Sequence, residues 1–146
     1  MNESLKVKGH LTVRLFNKNG RLKAIKCIDN LVVSSGLDFI ANRMANESDS
    51  VMSHMAIGEG SVAASASNTA LGSEAARVSL TSAAVTGSAI KYIGTFNAGV
   101  GTGSISEAGV FNASSSGTML CRTVFSALEK QDDDSLQIEW TVTVSA

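Results

Sequence analysis

Residues 136 to 144 read Leu-Gln-Ile-Glu-Trp-Thr-Val-Thr-Val, with Leu136, Ile138, Trp140, Val142 and Val144 alternating strictly with Gln137, Glu139, Thr141 and Thr143. A period of two is the signature of a strand with one buried face, so this segment must lie in a sheet with Trp140 in the core. The same period recurs at the other end of the chain. Leu5, Val7, Leu11, Val13 and Leu15 fall on one face, and Lys6, Lys8, His10, Thr12 and Arg14 on the other. Gly9 interrupts that run as a candidate bulge. Asn17-Lys18-Asn19-Gly20 is rich in residues that tolerate positive φ, and Arg21 to Val33 follows with Ile25, Cys27, Leu31 and Val33 in phase. The spacing predicts an N-terminal β-hairpin with those four residues facing inward.

One helix is expected. Ser34 or Ser35 can cap it, Leu37, Ile40, Ala41 and Met44 recur at helical spacing, and Asn46 and Ser48 end the pattern. Met52 to Gly58 reads as a short strand, and Ser61 to Ser73, polar and small with no period, as a long ordered loop. Further strands are expected over Ala76–Thr81, Ala89–Phe96, Ser104–Asn112, Thr118–Phe125 and Ser135–Ser145, separated by clusters of Gly, Ser, Asn and Asp. The fold class is therefore mainly β: a sandwich or jelly-roll-like domain with an N-terminal hairpin and one short α-helix. With 146 residues and no proline-rich linker, residues 1–146 are expected to form a single β-rich domain, with 1–33 as a hairpin that could project from it.

Composition narrows the function. Twelve Lys and Arg against thirteen Asp and Glu give no basic excess, so nucleic acid is not an expected partner. The charges are unevenly placed. Residues 1 to 47 hold eight basic side chains, Lys6, Lys8, Arg14, Lys18, Arg21, Lys23, Lys26 and Arg43, against Glu3, Asp29, Asp38 and Glu47. The hairpin cations from Lys6 to Lys26 are the candidate contacts to an acidic neighbouring subunit. Cys27 and Cys121 lie far apart in strand-like runs and read as buried small hydrophobes in a reducing compartment. No basic segment runs into an apolar stretch and no run of about 18 apolar residues occurs, so neither a signal peptide nor a membrane span is expected.

No catalytic or metal-binding pattern stands out in the sequence. His10 and His54 stand alone, no G-x-S-x-G pattern singles out a serine, and Asp132-Asp133-Asp134 lacks the spacing of a calcium loop and reads as a solvated turn. Gly58-Glu59-Gly60 and Gly101-Thr102-Gly103 are not followed by helical periodicity, as a phosphate-binding loop would be, and read as backbone turns. Paired carboxylates or aromatic platforms for carbohydrate cannot be located. No catalytic residue, no cofactor and no metal are therefore expected, and the chain is read as a non-enzyme.

Several segments in matching order resemble structural proteins of tailed-bacteriophage virions. They are Asn30 to Leu37 leading into the helix, His54 to Gly60, Asn68-Thr69-Ala70-Leu71-Gly72-Ser73-Glu74 with Arg77, Glu107 to Ala113, Met119 to Phe125 and Asp134 to Val142. The third is similar to a D-T-A-L-x-x-E…R segment, with Asn68 in place of the aspartate, and the fourth to E-x-G-[LV]-F-[DN]. The resemblance implies a capsid decoration or cement protein, a homotrimer bound to the major capsid protein on the virion surface and made in the host cytoplasm. It implies as the alternative a tail, tail-fibre attachment or baseplate component. On that reading Glu74, Arg77 and Glu107 are expected to form charge-assisted bonds that pin the long loop to the sheet.

Overall fold

In the computed structural model, which describes residues 5–45 and 49–146, the alternating runs become nine antiparallel strands and one helix. In chain order these are β1 (Lys6–Phe16), β2 (Leu22–Val32), α1 (Ser34–Ala45), β3 (His54–Gly58), β4 (Glu74–Ser79), β5 (Ser82–Thr86), β6 (Ala89–Phe96), β7 (Gly103–Phe111), β8 (Met119–Lys130) and β9 (Ser135–Ser145). They pair in the order β4-β3-β7-β8-β2-β1-β9-β6-β5. The protein is mainly β.

The sheet curls through β2. That strand pairs with β1 from Gly9↔Asn30 to Phe16↔Leu22, but with β8 only at Leu31↔Arg122 and Val32↔Cys121. Beyond those two rungs β2 and β8 diverge, and the flanks fold over each other. The main core joins Met55 and Ile57 of β3, Val110 of β7 and Phe125 of β8 to Leu11 and Val13 of β1, Phe96 of β6 and Trp140 of β9, and a smaller second cluster gathers Val33, Ala56, Leu71, Phe111 and Met119. Gly94 on β6 lets the flanks approach closely: a Cβ there would stand 2.9 Å from the Met55 sulfur. At about 25 cal/mol per Å2, burying such apolar surface is the main favourable term in the fold.

The hairpin forms, but it does not project. β1 pairs along its whole length with β9, from Lys6↔Ser145 to Phe16↔Ser135, so it is an interior strand whose Leu11, Val13 and Leu15 are buried. Gly9 marks no bulge, because the register runs through it. Its missing side chain makes room for the Asn30 amide, which would collide with any Cβ at that position. The phase of β2 is opposite to the one expected. Ala24, Ile28 and Val32 pack against the core, whereas Ile25, Cys27 and Leu31 are exposed. Only Val33 of the expected set is buried. Cys27 is thus a surface thiol, and Cys121 alone is a buried one, its pKa pushed up by burial.

The helix packs by a different stripe as well. Gly36 and Phe39 are its buried residues, while Leu37 and Met44 are exposed. Gly36 allows a close approach: a Cβ would run into the backbone carbonyl of Leu120, so only glycine lets α1 lie on β8 at this distance. Ser35 fixes the contact by donating its hydroxyl to the Met119 carbonyl at 2.9 Å. Asn46 and Ser48, expected to end the helix, lie outside the described residues. An unexpected strand, β5, follows β4 across a short break, and its hairpin with β6 turns on Gly87 at φ +59. Glycine at the first central position of a two-residue connection matches the twist of the flanking strands.

Candidate functional site

Glu107 lies in the middle of β7 with its side chain fully buried. A charge in that position survives only if hydrogen bonds replace the lost water. Three segments distant in sequence supply them. Oε2 accepts from the backbone N–H of Gly60 at 2.7 Å and of Ser73 at 2.7 Å. Oε1 accepts from the N–H of Gly72 at 2.8 Å and from Arg122, through Nε at 3.2 Å and Nη2 at 3.0 Å. Arg122, on the neighbouring strand β8, is itself 2% exposed and continues to the Asn68 side chain and the Val62 carbonyl. Burial by itself would raise the Glu107 pKa, but the N–H donors of Ser73, Gly72 and Gly60 together with Arg122 outweigh it and hold the carboxyl below its ordinary range.

This arrangement explains the glycines on either side of Glu59. Side chains at positions 58 and 60 would run into the Glu107 carboxylate, and a Cβ at 58 would also meet the Ser73 carbonyl. Gly58-Glu59-Gly60 is therefore more than a turn: it contributes to an anion cradle whose anion is the protein's own side chain. The loop from Ser61 to Ser73 is stitched at both ends. Glu59 N–H donates to the Ser73 carbonyl, Ser34 N–H to the Ala66 carbonyl, and the Ser106 hydroxyl to the Gly60 carbonyl. Inside it, Asn68 Oδ1 accepts from the Ser65 N–H at 2.8 Å, closing a local turn.

Arg77 forms a second and separate network. Its guanidinium grips Glu74 with two hydrogen bonds, lies 3.8 Å over the Phe111 ring, and donates to the carbonyls of Ala113 and Ser116. The structure thus joins Glu74 to Arg77 but does not join either of them to Glu107. Arg77 holds the turn after β7, and Glu107 holds the long loop. The residue sequence reasoning missed is Arg122, which stands fifteen positions from Glu107 and within the mostly apolar first half of β8. Its signal was there to be read: a lone cation among Met119, Leu120, Cys121 and Phe125 needs a buried anion.

The seven hairpin cations do not form one patch. Lys6 and Lys8 are exposed near the start of β1, and Lys18 and Arg21 are exposed at the other end of the hairpin. Ten residues of extended chain separate Lys8 from Lys18, roughly 33 Å. Between them, Arg14 faces Glu139 at 3.5 Å, Lys23 meets Asp134 at 2.6 Å, and Lys26 donates to the Ser126 hydroxyl at 2.7 Å.

Asp134 corrects the reading of the acidic cluster as a solvated turn. Asp132 and Asp133 are exposed, but Asp134 is buried, with Lys23 and the Gln131 N–H both on Oδ2. Those two donors hold its pKa low. Lys130, buried beside it, donates to the carbonyls of Asn97 and Asp134 and closes the β8–β9 connection.

His10 pairs with Asp29 on the exposed sheet face, and His54 lies between the hydroxyls of Ser53 and Ser79. Among the described residues no group of three or more His, Cys, Asp or Glu side chains is placed to hold a metal ion, and no helix is long and apolar enough to cross a membrane. No family model, curated protein or solved structure matches the chain.

Proposed function

We propose that the chain is a structural subunit of a tailed-bacteriophage particle, a capsid decoration protein that binds the outer surface of the major capsid protein as a homotrimer and stabilises the shell. The observation that carries this reading is the convergence on Glu107. His54 to Gly60, Asn68 to Glu74, Glu107 to Ala113 and Met119 to Phe125 resemble phage structural proteins, and each of these segments supplies a residue to that one network. A shared pattern that fixes a loop on a sheet supports a shared architecture, and the role in assembly follows by analogy with the proteins it resembles. The carboxylate has about four lone-pair positions, and five hydrogen bonds from its own chain already occupy them, which favours a structural role for the group over one in turnover.

On this reading the output is binding area. Many copies, each with modest contacts across neighbouring capsid subunits, would resist internal pressure through multivalency. Lys6, Lys8, Lys18, Arg21 and Lys23 are the exposed members of the candidate contact set, Lys23 being engaged by Asp134, and contacts made by exposed cations weaken as salt rises. Immunogold labelling of phage particles with antibody to this chain tests the proposal. Label over the head is the expected result. Label confined to the tail would overturn it in favour of a tail or fibre-attachment component. Neutralising Lys6, Lys8 and Arg14 together should weaken shell binding, and unchanged binding would remove the hairpin from the contact.

A further inference from the structure

We infer that the free edge of β5 is a pairing surface for a second copy of this chain, β5 against β5 about a two-fold axis. Among the described residues the strand ends the nine-stranded order and pairs only with β6, so alternate backbone N–H and C=O groups along its other side have no partner strand there. All five of its residues, Ser82-Ala83-Ala84-Val85-Thr86, are exposed. Natural sheets protect such edges with charge, proline or a bulge. The opposite edge, β4, has charge and irregularity, with Glu74, Arg77 and a register shift opposite Ile57 and Gly58. The β5 edge has neither: its residues are uncharged and its register with β6 is unbroken.

The strand is also complementary to itself. Antiparallel pairing centred on Ala84 sets Ala84 opposite Ala84 of the second copy, Ala83 opposite Val85, and Ser82 opposite Thr86. Small meets large on the inner face, and hydroxyl meets hydroxyl on the outer one, both favourable cross-strand pairs. Lys91 neighbours Ala84 on β6, so the two Lys91 residues would stand three strand spacings apart. That is about 14 Å, beyond the screening length of about 8–10 Å at ordinary ionic strength.

The inner face supplies a second reason. Val85, 72% exposed, borders a groove of about 500 Å3 lined by Phe39, Met44, Val51, Ile90 and Val144 among others. A two-fold axis through the β5 edge, perpendicular to the sheet, keeps both inner faces on the same side, so the two grooves become continuous and shield each other's rims. The inference goes beyond the capsid reading because it needs no shell. A three-fold formed through other surfaces would leave this junction available to join trimers.

The contact is small, so a dissociation constant on the order of 10–100 µM is expected. Sedimentation of the purified chain from about 5 to about 500 µM, spanning that range, should show reversible pairing. Ala84→Lys, which opposes two ammonium groups at the centre, should abolish it without changing the melting temperature. In a Cys27→Ser background, Ala84→Cys treated with oxidised glutathione should give a disulfide-linked dimer, since facing Cα atoms about 4.5–5.5 Å apart suit a disulfide. Ala75→Cys on β4 should not. Association unaffected by Ala84→Lys, a chain monomeric throughout the range, or cross-linking of Ala84→Cys no greater than that of Ala75→Cys would each overturn the inference.

Discussion

The two flanks of the curled sheet are finished in opposite ways. Around Glu107 the chain closes itself with buried charge, drawing a thirteen-residue loop, Ser61 to Ser73, over the sheet and giving the N–H groups of Gly60, Gly72 and Ser73 one shared acceptor. Around β5 and α1 it leaves an apolar groove and an uncharged strand edge exposed. The difference lies in what lines each region: a buried carboxylate in the first, and apolar side chains such as Phe39, Met44 and Val85 in the second. A buried carboxylate forces nearby backbone into one geometry, because any unpaired donor or acceptor there costs about 1–3 kcal/mol. Apolar side chains such as Val85 and Met44 impose no such direction. The charged end is therefore specific, and the apolar end is available.

Breaking the charged end should have the largest effect. Glu107→Ala leaves Arg122 buried without its anion and three N–H groups unpaired, so a loss of about 3–5 kcal/mol is expected in chemical denaturation. Replacing Glu107 and Arg122 together by Leu and Met should recover much of that loss, because the ion pair itself offsets its own desolvation only in part. A double variant as unstable as the single one would show that the loop hydrogen bonds, not the stranded charge, dominate.

Acid should act on the same end. Glu107 and Asp134 have depressed pKa values in the folded chain, so each contributes stability that is fully present above the unfolded value, about 4, and is lost as pH falls through the folded one. Melting temperature should decline with acidification below about pH 4, and less steeply in Glu107→Gln. Equal slopes in the two proteins would remove Glu107 from the acid response.

Smaller effects separate the remaining parts. Arg77→Lys keeps the charge but loses the two-pronged grip on Glu74 and the stacking on Phe111, with an expected cost of about 1–2 kcal/mol. Val85→Ser, at the apolar end, should change monomer stability by less than about 0.5 kcal/mol, as an exposed substitution does. A larger loss there would mean that the groove belongs to the monomer's core.

What was legible in the sequence follows the same division. The β1 and β9 runs declare themselves because polar and apolar residues alternate, strictly from Leu136 to Val144 and broken only by Gly9 between Lys6 and Leu15, and Trp140 is buried as that pattern requires. In β2 both faces offer hydrophobic residues, Ala24 and Ile28 on one and Ile25 and Leu31 on the other, so period alone could not choose the phase. β5 is short, and its faces differ only weakly, Ala83 and Val85 against Ser82, Ala84 and Thr86, so it is recognised chiefly through its pairing with β6. The Glu107 network was half legible. The carboxylate and the glycine-rich segments stand out, but bringing Gly60, Gly72, Ser73 and Arg122 to one point is a property of strand order, which no local pattern encodes.

The most direct test of the central claim, that a buried Glu107 holds the long loop on the sheet, is amide hydrogen exchange at Gly60, Gly72 and Ser73 in the native chain and in Glu107→Gln. The account predicts slow exchange at all three amides in the native chain and a selective acceleration in the variant, with the β1 and β9 amides unchanged. Equal exchange at those three positions in the two proteins would contradict it.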